Sequence, residues 1–418
     1  MKTKYLVTLW LVLSTASLYA ASTLDDADAL FRAGKFREAE KAYSEVLASD
    51  PKSVPAETRL GQLGLYANHL GDAEKHLRKA IEIDPGAKKA KSALAEALHR
   101  RDQFEQAAKW YREAGDDAKA DEMESYKGVT PYRVAEGAPS VTSLKFVATD
   151  PLPVVRVKVN DGEPVDFLID TGGPEVVLEK EFAKQMGVQS VAVTTGTFAS
   201  GQHAEVTHHR ASFTLGDFVI KDVPVIMLPL PEVGGRKIYG ILGTELLYHF
   251  LSTLDYPGGQ LIVRRWSPEA LKQFEKQAEA QRQIVVPFWM AGDHFMVAWG
   301  QVNQAAPALF FIDTGFSKGG FLCPESTLKE AGITPVREAA ATAPEGAAQP
   351  PSETPFVVNQ LSLGDARGEK INGLTGIFPP SLEYAFGFRI AGLISHQFFQ
   401  PYAVTFDFTG MKLFLRRQ

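Results

Sequence analysis

The sequence predicts a multidomain protein, an α-helical repeat array followed by an all-β bilobal domain whose two lobes are joined by a helix. Three observations predict it. Small and aromatic residues recur every 34 positions through the N-terminal third. A strand-rich unit of alternating apolar residues occurs twice in the remainder, its second half repeating at a fixed offset of 152 (Asp255 to Asp407). Between the copies lies Ser267-Pro268-Glu269, an N-cap, a first-turn proline and an early acid, running into ALKQFEKQAEAQRQ.

The whole chain sets wide bounds. Its 418 residues correspond to two or three domains of about 100–200 residues each. With 45% hydrophobic and 22% charged residues it can bury sizeable cores, and a net charge of −6 gives no electrostatic case for a nucleic-acid partner. Lys2 and Lys4 precede an apolar run from Tyr5 to Leu18 and small residues at Ala20, Ala21 and Ser22, so residues 1–21 read as a cleavable export signal. No cysteine lies near that site, which excludes lipid attachment there. Beyond it no stretch is long and apolar enough to span a membrane. Cys323 is the only cysteine, so an internal disulfide is impossible. A periplasmic or secreted location is the expectation.

Residues 22–120 carry the repeats. Ala39, Ala73 and Ala107 keep the 34-residue interval, as do Ala27, Gly61 and Ala95, the pair Pro51 and Pro85, and the series Tyr43, Leu77 and Tyr111. Small residues at such points let paired helices approach closely, and each proline ends a second helix. The in-phase set resembles the tetratricopeptide repeat, in three copies over about Leu24–Lys119. That resemblance implies a stack of helix pairs with a concave surface for a peptide or protein partner. Residues 121–142, where Gly, Pro, Ser and Val replace the alanine-rich pattern, read as a linker.

Lobe 1 is expected over 143–265, the helical link over 266–283 and lobe 2 over 284–418. In lobe 1, VVRVKVN, the turn former DGEP and VDFLID give strand, tight turn and strand, delivering Asp170 at the end of an apolar run. In lobe 2, HFMVAWGQVNQAAPALFFIDTG does the same for Asp313. Aligning Gly240 with Gly392 then sets Tyr256 on Phe408, Gly258 on Gly410 and Leu261 on Leu413 without a gap. The chain therefore carries an internal duplication.

Asp-Thr-Gly after an apolar strand, followed by an apolar pair and Gly, resembles the aspartic proteases, and the second half of each copy is most similar to the retropepsin-like group. The resemblance covers roughly Leu152–Arg417 and implies a pepsin-like bilobal architecture. It implies that Asp170 and Asp313 form the catalytic dyad, that Thr171 and Thr314 hydrogen-bond across to the opposite lobe, and that Gly172 and Gly315 permit close backbone approach. Two carboxyls about 3 Å apart share one proton, so one can take a proton from water while the other polarises a peptide carbonyl. Such chemistry needs neither cofactor nor metal. The supporting elements are Ile241-Leu242-Gly243 and Leu393-Ile394-Ser395, Ser395 standing where glycine is expected. Phe316 follows the second turn where a small residue is usual, and it either crowds the site or lines a substrate pocket. Thr195–His208 can form a flap hairpin with Gly201 at its tip, whereas its counterpart, Glu338–Pro355, is rich in Ala and Pro and reads as a loop.

Other residues suggest less. His203, His208 and His209 have poor metal-ligand spacing on a strand, Asp255 and Asp407 precede hairpin glycines, and Cys323 sits among apolar neighbours. The favoured function is an exported endopeptidase acting on peptides or proteins through Asp170 and Asp313. The alternative is an inactive peptide-binding or scaffold protein working through its repeats.

Overall fold

The computed structural model describes residues 22–188, 190–197, 203–335 and 353–417. The export segment, Gly201 and most of Glu338–Pro355 lie outside the described residues. The repeats form three helical hairpins and a closing helix: α1 (Leu24–Arg32), α2 (Phe36–Ser49), α3 (Val54–Tyr66), α4 (Leu70–Ile83), α5 (Lys88–His99), α6 (Phe104–Ala114) and α7 (Asp117–Glu124). Thr23 and Asp26 form a reciprocal capping box at the start of α1. Ala39, Ala73 and Ala107 are fully buried where paired helices cross, and a Cβ on Gly61 would run into Leu77. Proline follows the C-caps of α2 and α4, Asp50 and Asp84.

Lobe 1 contains β1 (Arg133–Val134), β2 (Val141–Ala148), β3 (Val154–Val159), β4 (Val165–Ile169), β5 (Val176–Glu179), α8 (Lys180–Gln185), β6 (Ser190–Thr197), β7 (His203–Leu215), β8 (Phe218–Leu228), β9 (Gly240–Leu242), α9 (Thr244–Tyr248), β10 (Phe250–Asp255) and β11 (Gln260–Arg265). Helix α10 (Pro268–Ala280) follows, its N-cap Ser267 accepting the Ala270 N–H. Lobe 2 contains β12 (Ile284–Pro287), β13 (Trp289–Ala291), β14 (Phe295–Val302), β15 (Ala308–Asp313), β16 (Phe321–Leu322), α11 (Glu325–Glu330), β17 (Thr354–Leu363), β18 (Ala366–Thr375), α12 (Pro380–Glu383), β19 (Leu393–Ser395), α13 (His396–Phe399), β20 (Tyr402–Asp407) and β21 (Lys412–Arg417).

The duplication is visible in the pairings. In lobe 1, β4 pairs in parallel with β9, and β5 lies parallel to β8; in lobe 2, β15 pairs with β19 and β16 with β18 in the same senses. A shared run of strands in the order β12-β21-β20-β10-β11-β2 joins the lobes beneath the site. At its centre Thr253 opposes Thr405, its own duplicate, and their hydroxyls hydrogen-bond at 2.7 Å. A pseudo-twofold axis passes through that pair. One apolar core runs through both lobes, from Phe167 and Leu242 to Phe310 and Ile394.

The stretch expected to be a linker is structured. It holds the end of α7, then β1 paired with β8, then the first residues of β2. Its side chains Glu122, Tyr126 and Tyr132 are buried. Glycine and proline there mark tight turns between packed pieces rather than a free tether.

The array docks on the β-domain by the edge formed by its intra-repeat turns. Gly34, Asn68 and Asp102 sit in these turns at 34-residue intervals, with φ of 72°, 57° and 58°. Gly34 lies against Leu309 and Trp299 of lobe 2. Asn68 donates to the Phe408 carbonyl (3.0 Å) and accepts from the Tyr248 hydroxyl (2.8 Å), and Asp102 meets His249 of lobe 1 (3.2 Å). Phe36 packs edge-on to Phe388 and Trp289 at 4.9 and 5.2 Å. Each such ring removed from water contributes roughly 1.5–3 kcal/mol. The Arg100 guanidinium donates to the carbonyls of Leu65, Met290 and Gly292, tying two repeats to lobe 2.

Candidate active site

Strand alternation decides where the acids emerge. On β4, Phe167 and Ile169 face the common core, and Asp170 is the next residue, partly exposed, at the strand end. On β15, Phe310 and Ile312 face that core and Asp313 emerges likewise. Behind each turn runs the supporting strand, Ile169 opposite Leu242 and Ile312 opposite Ile394.

The two turns interlock. The Thr171 hydroxyl accepts the Thr314 N–H (3.1 Å) and donates to the Ile312 carbonyl (3.1 Å). Reciprocally, the Thr314 hydroxyl accepts the Thr171 N–H (3.0 Å) and donates to the Ile169 carbonyl (3.0 Å). All four bonds are buried and each crosses between lobes. Gly172 and Gly315 are required by the crossing, because a Cβ on Gly172 would strike the carboxyl of Asp313, and one on Gly315 that of Asp170. Their N–H groups donate to the carboxylates of Asp170 and Asp313 respectively, each at 2.7 Å.

The carboxyls of Asp170 and Asp313 hydrogen-bond to one another. Burial raises both above the usual carboxylate range. Asp313 is pushed well above it, by burial and then by the charge on Asp170. For Asp170, the Gly172 N–H, the bond to Asp313, the charge of His294 and the Gly315 N–H oppose the rise. The pair therefore shares one proton and titrates as a coupled unit.

The supporting residues differ between lobes. A Cβ on Gly243 would collide with the carbonyls of Pro174 and Glu175. At the equivalent place, the Ser395 hydroxyl donates to the Gly319 carbonyl (2.5 Å) and accepts the Gln397 N–H (3.3 Å), so the missing glycine is accommodated. Thr244, after Gly243, donates to the Thr171 carbonyl (3.1 Å). Phe316 is half-buried, packed on the apolar cluster that lobe 2 shares with the array. For the flap, β6 and β7 pair from Ser190–His209 to Thr197–His203. Asp255 and Asp407 accept backbone N–H groups in hairpin turns, and Cys323 is fully buried.

A charged group centred on Lys119, which sequence reasoning missed, ties α7 to lobe 2 and to the flap strand β7. Lys119 of α7 places its Nζ 3.6 Å from Glu122 and 3.7 Å from Asp293 of lobe 2. Asp293 bonds the His294 ring at 2.6 Å, and Glu122 lies 3.7 Å from His208 on the flap strand β7. Helix α7 also packs along β6. Burial pushes Glu175, five residues after Asp170, up to about 7, and raises Glu245 well above the usual range. Lys119 is held charged chiefly by Glu122 and also by Asp293. Among the described residues, no three His, Cys, Asp or Glu side chains are grouped to hold a metal ion.

Paired β lobes meeting at two crossed Asp-Thr-Gly turns define the aspartic protease class of fold. Comparison with known families agrees: residues 155–246, from β3 into α9, match the family described as aspartyl protease. Residues 24–68 and 64–125 match two families of tetratricopeptide repeat. The chain thus carries an aspartyl protease domain behind a tetratricopeptide array. No curated protein matches it.

Proposed function

We propose that this protein is an exported aspartic endopeptidase. The observation that carries the reading is the dyad, two carboxyls in hydrogen-bond contact, held by four reciprocal threonine bonds across the lobes. With the shared proton on Asp313, Asp170 takes a proton from a water, whose oxygen attacks the peptide carbonyl carbon while Asp313 gives its proton to the carbonyl oxygen. The resulting gem-diol collapses as Asp170 passes its proton to the departing nitrogen and a hydroxyl proton returns to Asp313. Both carboxyls end in their starting state. The position of Phe316, seated on an apolar cluster, supports activity over the scaffold alternative.

Peptide and unfolded-protein cleavage should be assayed from about pH 3 to 8 with the wild type, Asp170→Asn and Asp313→Asn. Each substitution is expected to lower kcat at least ~100-fold. Wild-type inactivity throughout, or cleavage that survives either substitution, would sink the protease reading. Export rests on the lysines and apolar run of residues 1–21. Mass spectrometry of the protein recovered outside the cytoplasm should find that segment removed, and retention of the intact chain in the cytoplasm would refute it.

A further inference from the structure

The duplication that sets Gly240 on Gly392 also sets Thr244 on His396 and Tyr256 on Phe408, each pair 152 residues apart. In lobe 1, Thr244 is fully buried and its hydroxyl anchors the first catalytic turn through the Thr171 carbonyl (3.1 Å). In lobe 2 the same place holds an imidazole. Asp313 pairs with Ser395 in register, so His396, the next residue, stands beside Thr314 and the second turn. Its side chain is fully buried, and among the described residues neither ring nitrogen makes a hydrogen bond of normal geometry. The Phe316 carbonyl is the backbone group that the ring approaches. Its ring centre lies 6.4 Å from that of Tyr256, whose hydroxyl is likewise buried without a partner among the described residues. The residues equivalent to this pair, Thr244 and Phe408, include no titratable group. The lobes thus differ at a buried anchor that can take a proton in lobe 2 alone.

We propose that His396 is a positioning residue for the second catalytic turn, a buried anchor that holds only while its ring is neutral, so that acid releases the turn carrying Asp313. This inference rests on the protease reading and adds to it an acid limit set by the scaffold as well as by the dyad. A neutral imidazole has one N–H and one acceptor, and burying it costs only those two groups. An imidazolium has two N–H donors and a full charge, and no carboxylate of the described residues bonds this ring. The titratable groups facing it are Tyr256, from the turn between β10 and β11, and Asp150, from the turn between β2 and β3. The second turn itself presents the Phe316 carbonyl. Burial pushes the ring down to about 4, against the pull of that carbonyl and of Asp150. In the unfolded chain the ring takes its proton near 6.5. The loss of stability is therefore absent above about 6.5, grows as pH falls and is complete below about 4. Ser395 pairs with Asp313 and bonds the Gly319 carbonyl, so a displaced His396 takes the turn with it.

In the full chain, His396→Gln and His396→Thr each replace the ring by a group that takes no proton, and the second copies the anchor of lobe 1. Each protein is compared with itself at about pH 7. On going to about pH 4, kcat of the wild type should fall at least ~10-fold more than that of either variant. The denaturant midpoint should likewise drop more steeply in the wild type between about pH 6.5 and 4, by the linkage of one proton. The same pH dependence of the midpoint in the wild type and in the folded variants overturns the proposal. Imidazole NMR on the wild type needs neither turnover nor a variant. The His396 ring should stay neutral down to about pH 4, and titration near its ordinary value overturns the proposal. Should the wild type cleave nothing while the midpoints diverge in acid, the protease reading fails and the acid-labile anchor stands. Cleavage that needs both aspartates, with the same acid fall in wild type and variants, sinks the anchor alone.

Discussion

Thr171 and Thr314 each serve as donor and acceptor, and this double use is what a threonine hydroxyl offers at a buried crossing. Valine has nearly the same shape and neither function. Thr314→Val would leave the Thr171 N–H and the Ile169 carbonyl buried without partners, at about 1–3 kcal/mol for each group. Chemical denaturation should register a loss of that order, and kcat should fall with KM less affected because the carboxyls lose their common frame. An undiminished midpoint would mean that water replaces the lost bonds. Much of this site was legible in the sequence, since FLIDTGG and FFIDTGF carry the whole grip in seven residues each. The charged group around Lys119 was not legible. Its members come together only when β14 and α7 are placed, and neither an isolated histidine in a turn nor a lysine on a helix carries a sign of its eventual neighbour.

At the scale of elements, regularity made boundaries readable and packing partners obscure. The 34-residue period located three helical hairpins, and Ser267-Pro268 located α10. Ser267→Ala removes the hydroxyl that accepts the Ala270 N–H. It should cost about 1 kcal/mol, read as a lower unfolding midpoint with cleavage kinetics unchanged. A kinetic change with no loss of stability would assign α10 a role in the site that its placement does not suggest. The segment 121–142 misled because glycine and proline signal a break in helix without saying whether the broken chain stays packed. Tyr126 and Tyr132 are buried by the lobes and the array together, and that environment is absent from their local sequence.

For the whole molecule, array and β-domain form a continuous apolar interior. Phe31, Phe36 and Tyr66 share one cluster with Val297, Phe311 and Phe388. These aromatics read equally well as ordinary cores of separate domains, so the docking could not be inferred from periodicity. A chain beginning near residue 130 would uncover that cluster on lobe 2. Such a truncation is expected to aggregate and bind hydrophobic dyes, whereas the full chain remains soluble. A soluble, fully active truncation would show instead that the array is dispensable to the fold.

The three left-handed turns, Gly34, Asn68 and Asp102, touch lobe 2, the central strands and lobe 1 in succession. Free-standing repeat proteins gain or lose units with little penalty, since each unit answers only to its neighbours. Here the pitch of the stack is matched to the span between two lobes. An added or deleted hairpin would move every later turn off its contact, and α7 with it. The copy number of the repeat is thereby held by the enzyme-like half of the chain, and the two parts of the gene are expected to lengthen or shorten only together.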